Sequence, residues 1–359
     1  MPSLDPAAPI AELTRAIVDL PSESGHEREL ADAVEAALGA AGHLEVTRDG
    51  DAVVARTRLG RPRRVIIAGH LDTVPVNANL PAVDGSGPEG AELVGRGTVD
   101  MKGGVAILLK LAVELAEPSV DVSWVFYDHE EVEAELNGLG RLARTRPELL
   151  RGDFAVLAEP TGGEVEGGCN GTLRIDVTTR GRRAHTARAW KGENAIHAAA
   201  PVLARLAEHR PAEIEVDGLV YREGLQAVGI TGGVAGNVVP DACTVSVNYR
   251  FAPSRDAAAA EAVVREIFDG FEVRVTDLAE GARPGLDAPL AQAFLGAVGG
   301  RPAPKYGWTD VARFSALGVP AVNYGPGDPS LAHADDERVP VAQLERCENG
   351  LRAWLTGPA

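Results

Sequence analysis

His70 and Asp72 stand two residues apart, directly after the apolar run Val65-Ile66-Ile67-Ala68. In an extended chain that spacing sends both side chains to one face. It suits an imidazole that ligates a cation through one ring nitrogen while an acceptor holds the other and fixes the tautomer. Asp100 lies between Gly95-Arg96-Gly97 and Gly103-Gly104, where glycines allow the close backbone approach that a carboxylate shared by two cations requires. Glu130 and Glu131 follow an apolar run at 122–127, and adjacent carboxylates repel unless a cation or proton relieves them. Glu159 leaves the run Val156-Leu157-Ala158, and His333 lies beyond the glycine-rich Gly325-Pro326-Gly327. Singly, each has an ordinary reading: a surface His-x-Asp pair, an aspartate helix cap, a solvated acidic loop, an exposed strand-end glutamate, a surface histidine. Together, two imidazoles (His70, His333) and three carboxylates (Asp100, Glu131, Glu159) match a two-cation centre with one shared carboxylate. Each ion then has three protein ligands and room for a water.

These residues sit at or just past the ends of predicted strands. Ile10, Leu13, Ile17 and Leu20 predict a first helix, and Ser24 with Glu27 reads as a capping box ahead of a second one carrying Leu30, Val34 and Leu38. Strands are expected at 53–57, 65–69, 122–127 and 154–158, a Gly/Pro-rich loop at 81–97, and a helix at 102–115. Alternating strands and helices predict an α/β layer with a mostly parallel sheet, whose active site lies outside the carboxyl ends of its strands. From Thr172 the order becomes strand, helix, strand, strand, helix, strand, the β-α-β-β-α-β grammar of a ferredoxin-like α+β module. The α/β pattern resumes with a helix at 289–298, a strand at 319–324 and a helix at 341–355. The expected organisation is therefore one domain made of 1–171 and 283–359, interrupted by a module at 172–282.

Composition excludes several classes. Thirty-five Lys plus Arg against 52 Asp plus Glu give a net charge of −17, which argues against nucleic acid or an anionic membrane as partner. Three dispersed cysteines (Cys169, Cys243, Cys347) support neither a disulfide framework nor a structural zinc knuckle, and reduced thiols fit a cytoplasmic protein. Residues 1–20 lack the apolar core of a secretion signal, and the most apolar stretch, 105–113, is short and broken by Lys110. No heptad pattern, basic tail or proline-rich segment supports a pure interaction module.

On Gly69-His70-Leu71-Asp72-Thr73-Val74-Pro75, Gly95-Arg96-Gly97 through Asp100-Met101-Lys102-Gly103-Gly104, Glu130-Glu131, Ala158-Glu159-Pro160-Thr161, Ala184-His185-Thr186-Ala187 and His333, the chain resembles the M20 family of dinuclear zinc peptidases and deacylases over nearly its whole length. The resemblance implies that His70 and Glu159 hold one zinc, Glu131 and His333 the other, and Asp100 both. It also implies that Asp72 orients His70, that Glu130 is the general base, and that a metal-activated water hydrolyses an N-acyl bond of a small substrate. Cobalt or manganese would accept the same ligands. In such enzymes the inserted module is a lid and dimerisation domain, so a homodimer is implied, with His185 reaching the partner subunit's site as oxyanion donor. Within the family the likeness is strongest to the succinyl-diaminopimelate desuccinylases of the actinobacterial type. It rests there on Gly168-Cys169-Asn170-Gly171-Thr172, the run 187–197 and Gly236-Asn237-Val238-Val239-Pro240-Asp241. Arg250, Asn237, Thr309 and Gly325 are the expected substrate contacts, Arg250 because a guanidinium matches a carboxylate in bidentate geometry. Arg174 is a weaker candidate of the same kind. Acetylornithine deacetylases and dipeptidases could use the same metal cluster. A non-catalytic binding protein on this scaffold would require loss of a ligand or base, and all are present.

Overall fold

The computed structural model describes residues 3–357, which form two compact units. One gathers the chain up to Gly167 with Pro284–Ala303 and the chain from Arg313 onward; the other is Gly168–Arg283 with Pro304–Ala312.

In the first unit the sheet runs Glu45–Asp49, Ala52–Arg56, Asp121–Tyr127, Arg64–His70, Phe154–Leu157, Ala321–Asn323 through its centre. The last four are mutually parallel and buried on both faces, which is why they read as unbroken apolar runs. Register places Ala68 beside Leu157 and His70 beside Tyr127. Counting on two positions from Ala68 and Leu157, His70 and Glu159 leave neighbouring strands side by side. Behind the sheet, helix Lys102–Glu114 is buried almost all round, as its lack of a polar face requires. It approaches so closely that a Cβ on Gly104 would stand 2.4 Å from the Ala158 carbonyl oxygen.

Two expectations fail here. The predicted loop at 81–97 contains a hairpin, Val83–Gly87 and Gly90–Val94, joined on its far edge by Arg338–Pro340. Its Gly, Ser, Asp and Glu residues hide the strand signal because one face is open to solvent. The capping box does not form either: the second helix is Arg28–Ala40, its N-cap position is held by Glu27 rather than Ser24, and no side chain caps it. Both side chains turn to acceptors and donors of greater consequence, described below.

The second unit carries a four-stranded sheet ordered Gly224–Gly232, Ala242–Phe251, Gly171–Arg180, Glu272–Ala279, antiparallel throughout. Alternate residues Leu173, Ile175, Val177, Val245 and Val247 face a core completed by Val264 and Phe268. The first helix of the β-α-β-β-α-β order, expected as one element, is broken into Ala195–Ala198 and Ala200–Glu208 ahead of Pro201, which supplies no N–H donor. A further hairpin, Glu213–Val216 with Leu219–Arg222, is not apparent from the sequence pattern. Among the described residues no helix is long and apolar enough to cross a membrane.

Candidate metal centre

His70 ends its strand with a buried side chain. Its Nε2 lies 3.1 Å from Asp100 Oδ1, and its Nδ1 lies 3.0 Å from the backbone carbonyl oxygen of Asp72. The Asp72 carboxylate is farther from that ring, at 3.5 Å, so the main chain is the nearer orienter. The other oxygen of Asp100 faces a second imidazole: Oδ2 is 3.4 Å from His333 Nε2, which also lies 3.0 Å from Glu131 Oε1. His70, Asp100 and Glu131 each offer a ligand atom within 4.8 Å of the others. Glu159, buried, follows by two residues Leu157, whose strand partner Ala68 precedes His70 by two, and it is not one of the three clustered residues.

Buried carboxylates aim these groups by capturing backbone amides. Asp72 Oδ1 accepts from the N–H of Glu130 at 3.0 Å, Oδ2 accepts from that of Glu131 at 3.0 Å, and the Ser24 hydroxyl donates to Oδ2 at 2.7 Å. Glu27 Oε1 accepts from the His129 N–H at 3.1 Å. Three successive amides, 129 to 131, are thereby fixed, and with them the two carboxylates they carry. Glu337, also buried, does the same for the segment ending in Asp100. Ser24, Glu27 and Glu337 are supporting residues that the motifs do not reveal. Their partners are distant in sequence, and the one local signal, Ser24-x-x-Glu27, reads as a cap.

Burial alone opposes charge on Asp72, but hydrogen bonding to His70 and to the two amides outweighs it and lowers its pKa to about 2. His333 is raised to about 10, first by its hydrogen bond to Asp100 and then by that to Glu131. For His70, burial disfavours the proton, yet Asp100 and Asp72 carry its pKa well above the ordinary value. Asp100 is shifted the other way: burial raises it, and the hydrogen bonds from His333 and His70 more than reverse that. The surrounding carboxylates thus shift both imidazoles towards the protonated form. A nitrogen-and-oxygen donor set with each Asp100 oxygen facing its own imidazole fits two divalent ions sharing that carboxylate.

The remaining candidates from the motifs divide between the units. Gly325 is in the first, where a Cβ would stand 2.4 Å from the Ala158 carbonyl oxygen and 2.7 Å from that of Glu159. His185, Asn237, Arg250 and Thr309 belong to the second. His185 precedes a short 3-10 turn, and its Nδ1 accepts from the Ala187 N–H at 3.0 Å. The Asn237 carbonyl accepts from the Thr186 N–H and steadies that turn. Arg250 is half-buried, and burial first and Arg174 second disfavour its charge, a condition that an anion relieves. Thr309 is buried, and its carbonyl accepts from the Cys169 thiol at 3.7 Å. Arg174 faces Asp277 at 3.9 Å.

The profile of peptidase family M20/M25/M40 matches residues 66–356. A Mycobacterium tuberculosis protein assigned by name to succinyl-diaminopimelate desuccinylase DapE is 55% identical over 349 residues, covering 96% of this chain and 98% of that protein. The succinyl-diaminopimelate desuccinylase of Corynebacterium glutamicum is 45% identical, covering 99% and 98%. Among solved structures, a tripeptidase from Staphylococcus aureus is similar at TM-score 0.78 and 19% identity, covering 98% of each chain. The YXEP protein of Bacillus subtilis, described as a dinuclear metal-binding peptidase of the M20 family, is similar at TM-score 0.72 and 16% identity, covering 97% and 96%.

Proposed function

Because the chain belongs to peptidase family M20/M25/M40, we propose that it is a metal-dependent amidohydrolase that removes the succinyl group from N-succinyl-LL-2,6-diaminopimelate. The observation that carries the dinuclear chemistry is the placement of Asp100, one oxygen towards His70 and the other towards His333. His70, Glu159 and Asp100 are assigned to one cation, and Glu131, His333 and Asp100 to the other, zinc in preference to cobalt or manganese. When bound there, the cations supply Lewis acidity to the scissile carbonyl and lower the pKa of water from about 15.7 towards 7.

The chain's own residues do the rest. Glu130, its backbone pinned by Asp72, takes the proton of the attacking water on its carboxylate and delivers it to the departing amine. His185 accepts at Nδ1, which leaves Nε2 as the ring's donor to the oxyanion. Arg250 is assigned to a substrate carboxylate, with Asn237, Thr309 and Gly325 as further substrate contacts.

Homodimerisation through the second unit is part of the same reading. Strand Gly224–Gly232 is an edge whose Val228 and Ile230 are 64% and 52% exposed, an open apolar ladder that a second copy would complete. Both edge strands carry a register shift, and what sets the opposite edge, Glu272–Ala279, apart is its charged residues, which include Glu272, paired with Arg180, and Arg274, paired with Asp176. In that dimer His185 serves the partner subunit's site. Three unpaired, buried thiols accord with a cytoplasmic setting.

The test is a substrate panel. Zinc-loaded protein should release succinate from N-succinyl-diaminopimelate with kcat/KM about 10⁴-fold above N-acetylornithine or dipeptides, the scale on which a site that pairs a polar group rejects analogues lacking it. Glu130→Gln should keep its zinc and lose turnover by about two to four orders of magnitude. Equal rates across the panel, or full activity of Glu130→Gln, would contradict the proposal.

A further inference from the structure

Glu337 lies four residues beyond His333, and its side chain is fully buried. Its Oε1 accepts from the backbone N–H groups of Val99 at 2.8 Å and Asp100 at 3.0 Å. Its Oε2 accepts from the Gly97 N–H at 3.0 Å and from Nη1 of Arg96 at 3.0 Å. The Glu337 backbone carbonyl takes the Gly95 N–H at 2.9 Å, and Arg96 Nη1 also donates to the Ala334 carbonyl at 3.1 Å. One carboxylate therefore gathers three amides of the segment that ends in Asp100 and ties them to the segment that carries His333. Pairing of Arg338–Pro340 with Gly90–Val94 extends the same seam. These are hydrogen bonds to an ionised acceptor, the strong and geometrically demanding kind.

His70 and Glu159 have different support, since each follows by two residues one member of the parallel strand pair Ala68 and Leu157. His333 has no such support: it lies outside any strand, at φ 65°, with its side chain half-exposed. We infer that Glu337 is a positioning residue that sets the spacing of Asp100 and His333 and thereby selectively controls cation binding on the Glu131/His333 side. The inference rests on the two-cation reading above. On that side two of the three assigned ligands, Asp100 and His333, depend on Glu337; on the other side only Asp100 does. Arg96, 3% exposed, is the counter-charge that makes the buried carboxylate tolerable.

The test compares full-length wild type, Glu337→Gln and His333→Ala, stripped of metal and titrated with zinc against a chromophoric competing chelator at a temperature where circular dichroism shows each folded. Glutamine keeps the volume and one acceptor oxygen but turns an NH2 donor towards existing donors. Wild type should take up two equivalents in two steps, with His333→Ala identifying the step that belongs to the Glu131/His333 side. Glu337→Gln should weaken that step by about 10- to 100-fold, the range for residues that support ligands from behind, and leave the other within about threefold. Two unchanged steps, or both weakened by one factor as a general loosening would do, overturn the inference. A wild type that binds one equivalent overturns the two-cation reading itself and this inference with it. If Glu337→Gln does not fold, Arg96→Met decides. It leaves the three amide bonds in place but removes the Arg96 bonds to Glu337 and to the Ala334 carbonyl, which tie the two segments together, and must produce the same selective weakening, while equal or absent weakening overturns the inference.

Discussion

Asp72 shows how much of this centre rests on a single carboxylate. It accepts from two successive amides and a hydroxyl, and its own carbonyl orients His70. The pair His70-x-Asp72 is legible in the sequence because period-two spacing at a strand end is a local signal. Glu27 and Glu337 are not legible in these roles, since the amides they hold at His129 and Gly97 lie roughly one hundred and two hundred and forty positions away, and the one local signal, Ser24-x-x-Glu27, reads as a helix cap. The protonated imidazoles have a measurable consequence. His333 in the cation-free chain is raised to about 10, so its ion-pair contribution to stability is complete below about 6.5 and is lost as pH rises through about 10. A cation must displace that proton at neutral pH. Zinc loading at pH 8 should therefore release about one proton from His333, and apparent affinity should climb by up to about tenfold per pH unit for that proton. Calorimetry in buffers of different ionisation enthalpy reads this directly, and loading without proton release would contradict the assignment of His333 as a ligand.

Elements succeed or fail as predictions according to whether packing shows in the sequence. The doubly buried strands and the helix Lys102–Glu114 are legible because burial on all sides leaves continuous apolar runs. The hairpin of Val83–Gly87 and Gly90–Val94 is not, because its solvated face removes that pattern. Gly103-Gly104 reads in the sequence as freedom for the backbone near Asp100. The structure gives Gly104 a more specific role, letting the helix reach the Ala158 carbonyl, one residue before Glu159. A methyl group there has no room without moving the strand end. Gly104→Ala should destabilise the protein by about 1–3 kcal/mol, visible as a lower thermal midpoint. A midpoint equal to or above wild type would show that this close approach is not needed.

At the scale of the whole molecule, the change of grammar near residue 171 is readable because the second unit alternates apolar and polar residues along an antiparallel sheet. Which edge of that sheet is left open is not readable, since edge position depends on strand order. The structure leaves one apolar edge bare and dresses the other in charge, and the proposed homodimer follows from that asymmetry. Ile230→Lys should shift sedimentation from twice the chain mass to the monomer while the circular dichroism spectrum stays native. A dimer that survives this change would move the interface elsewhere. The net charge of −17 also acquires a local meaning: a few of the 52 carboxylates, Asp72, Asp100, Glu130, Glu131, Glu159 and Glu337, are assigned to building or aiming one centre.

The proposed mechanism depends above all on Asp100 being shared. Crystals of zinc-loaded protein measured at the zinc absorption edge should show two anomalous peaks about 3.5–4 Å apart, one beside His70 and one beside His333, with Asp100 between them. A single peak, or a second one that does not contact Asp100, would contradict the account.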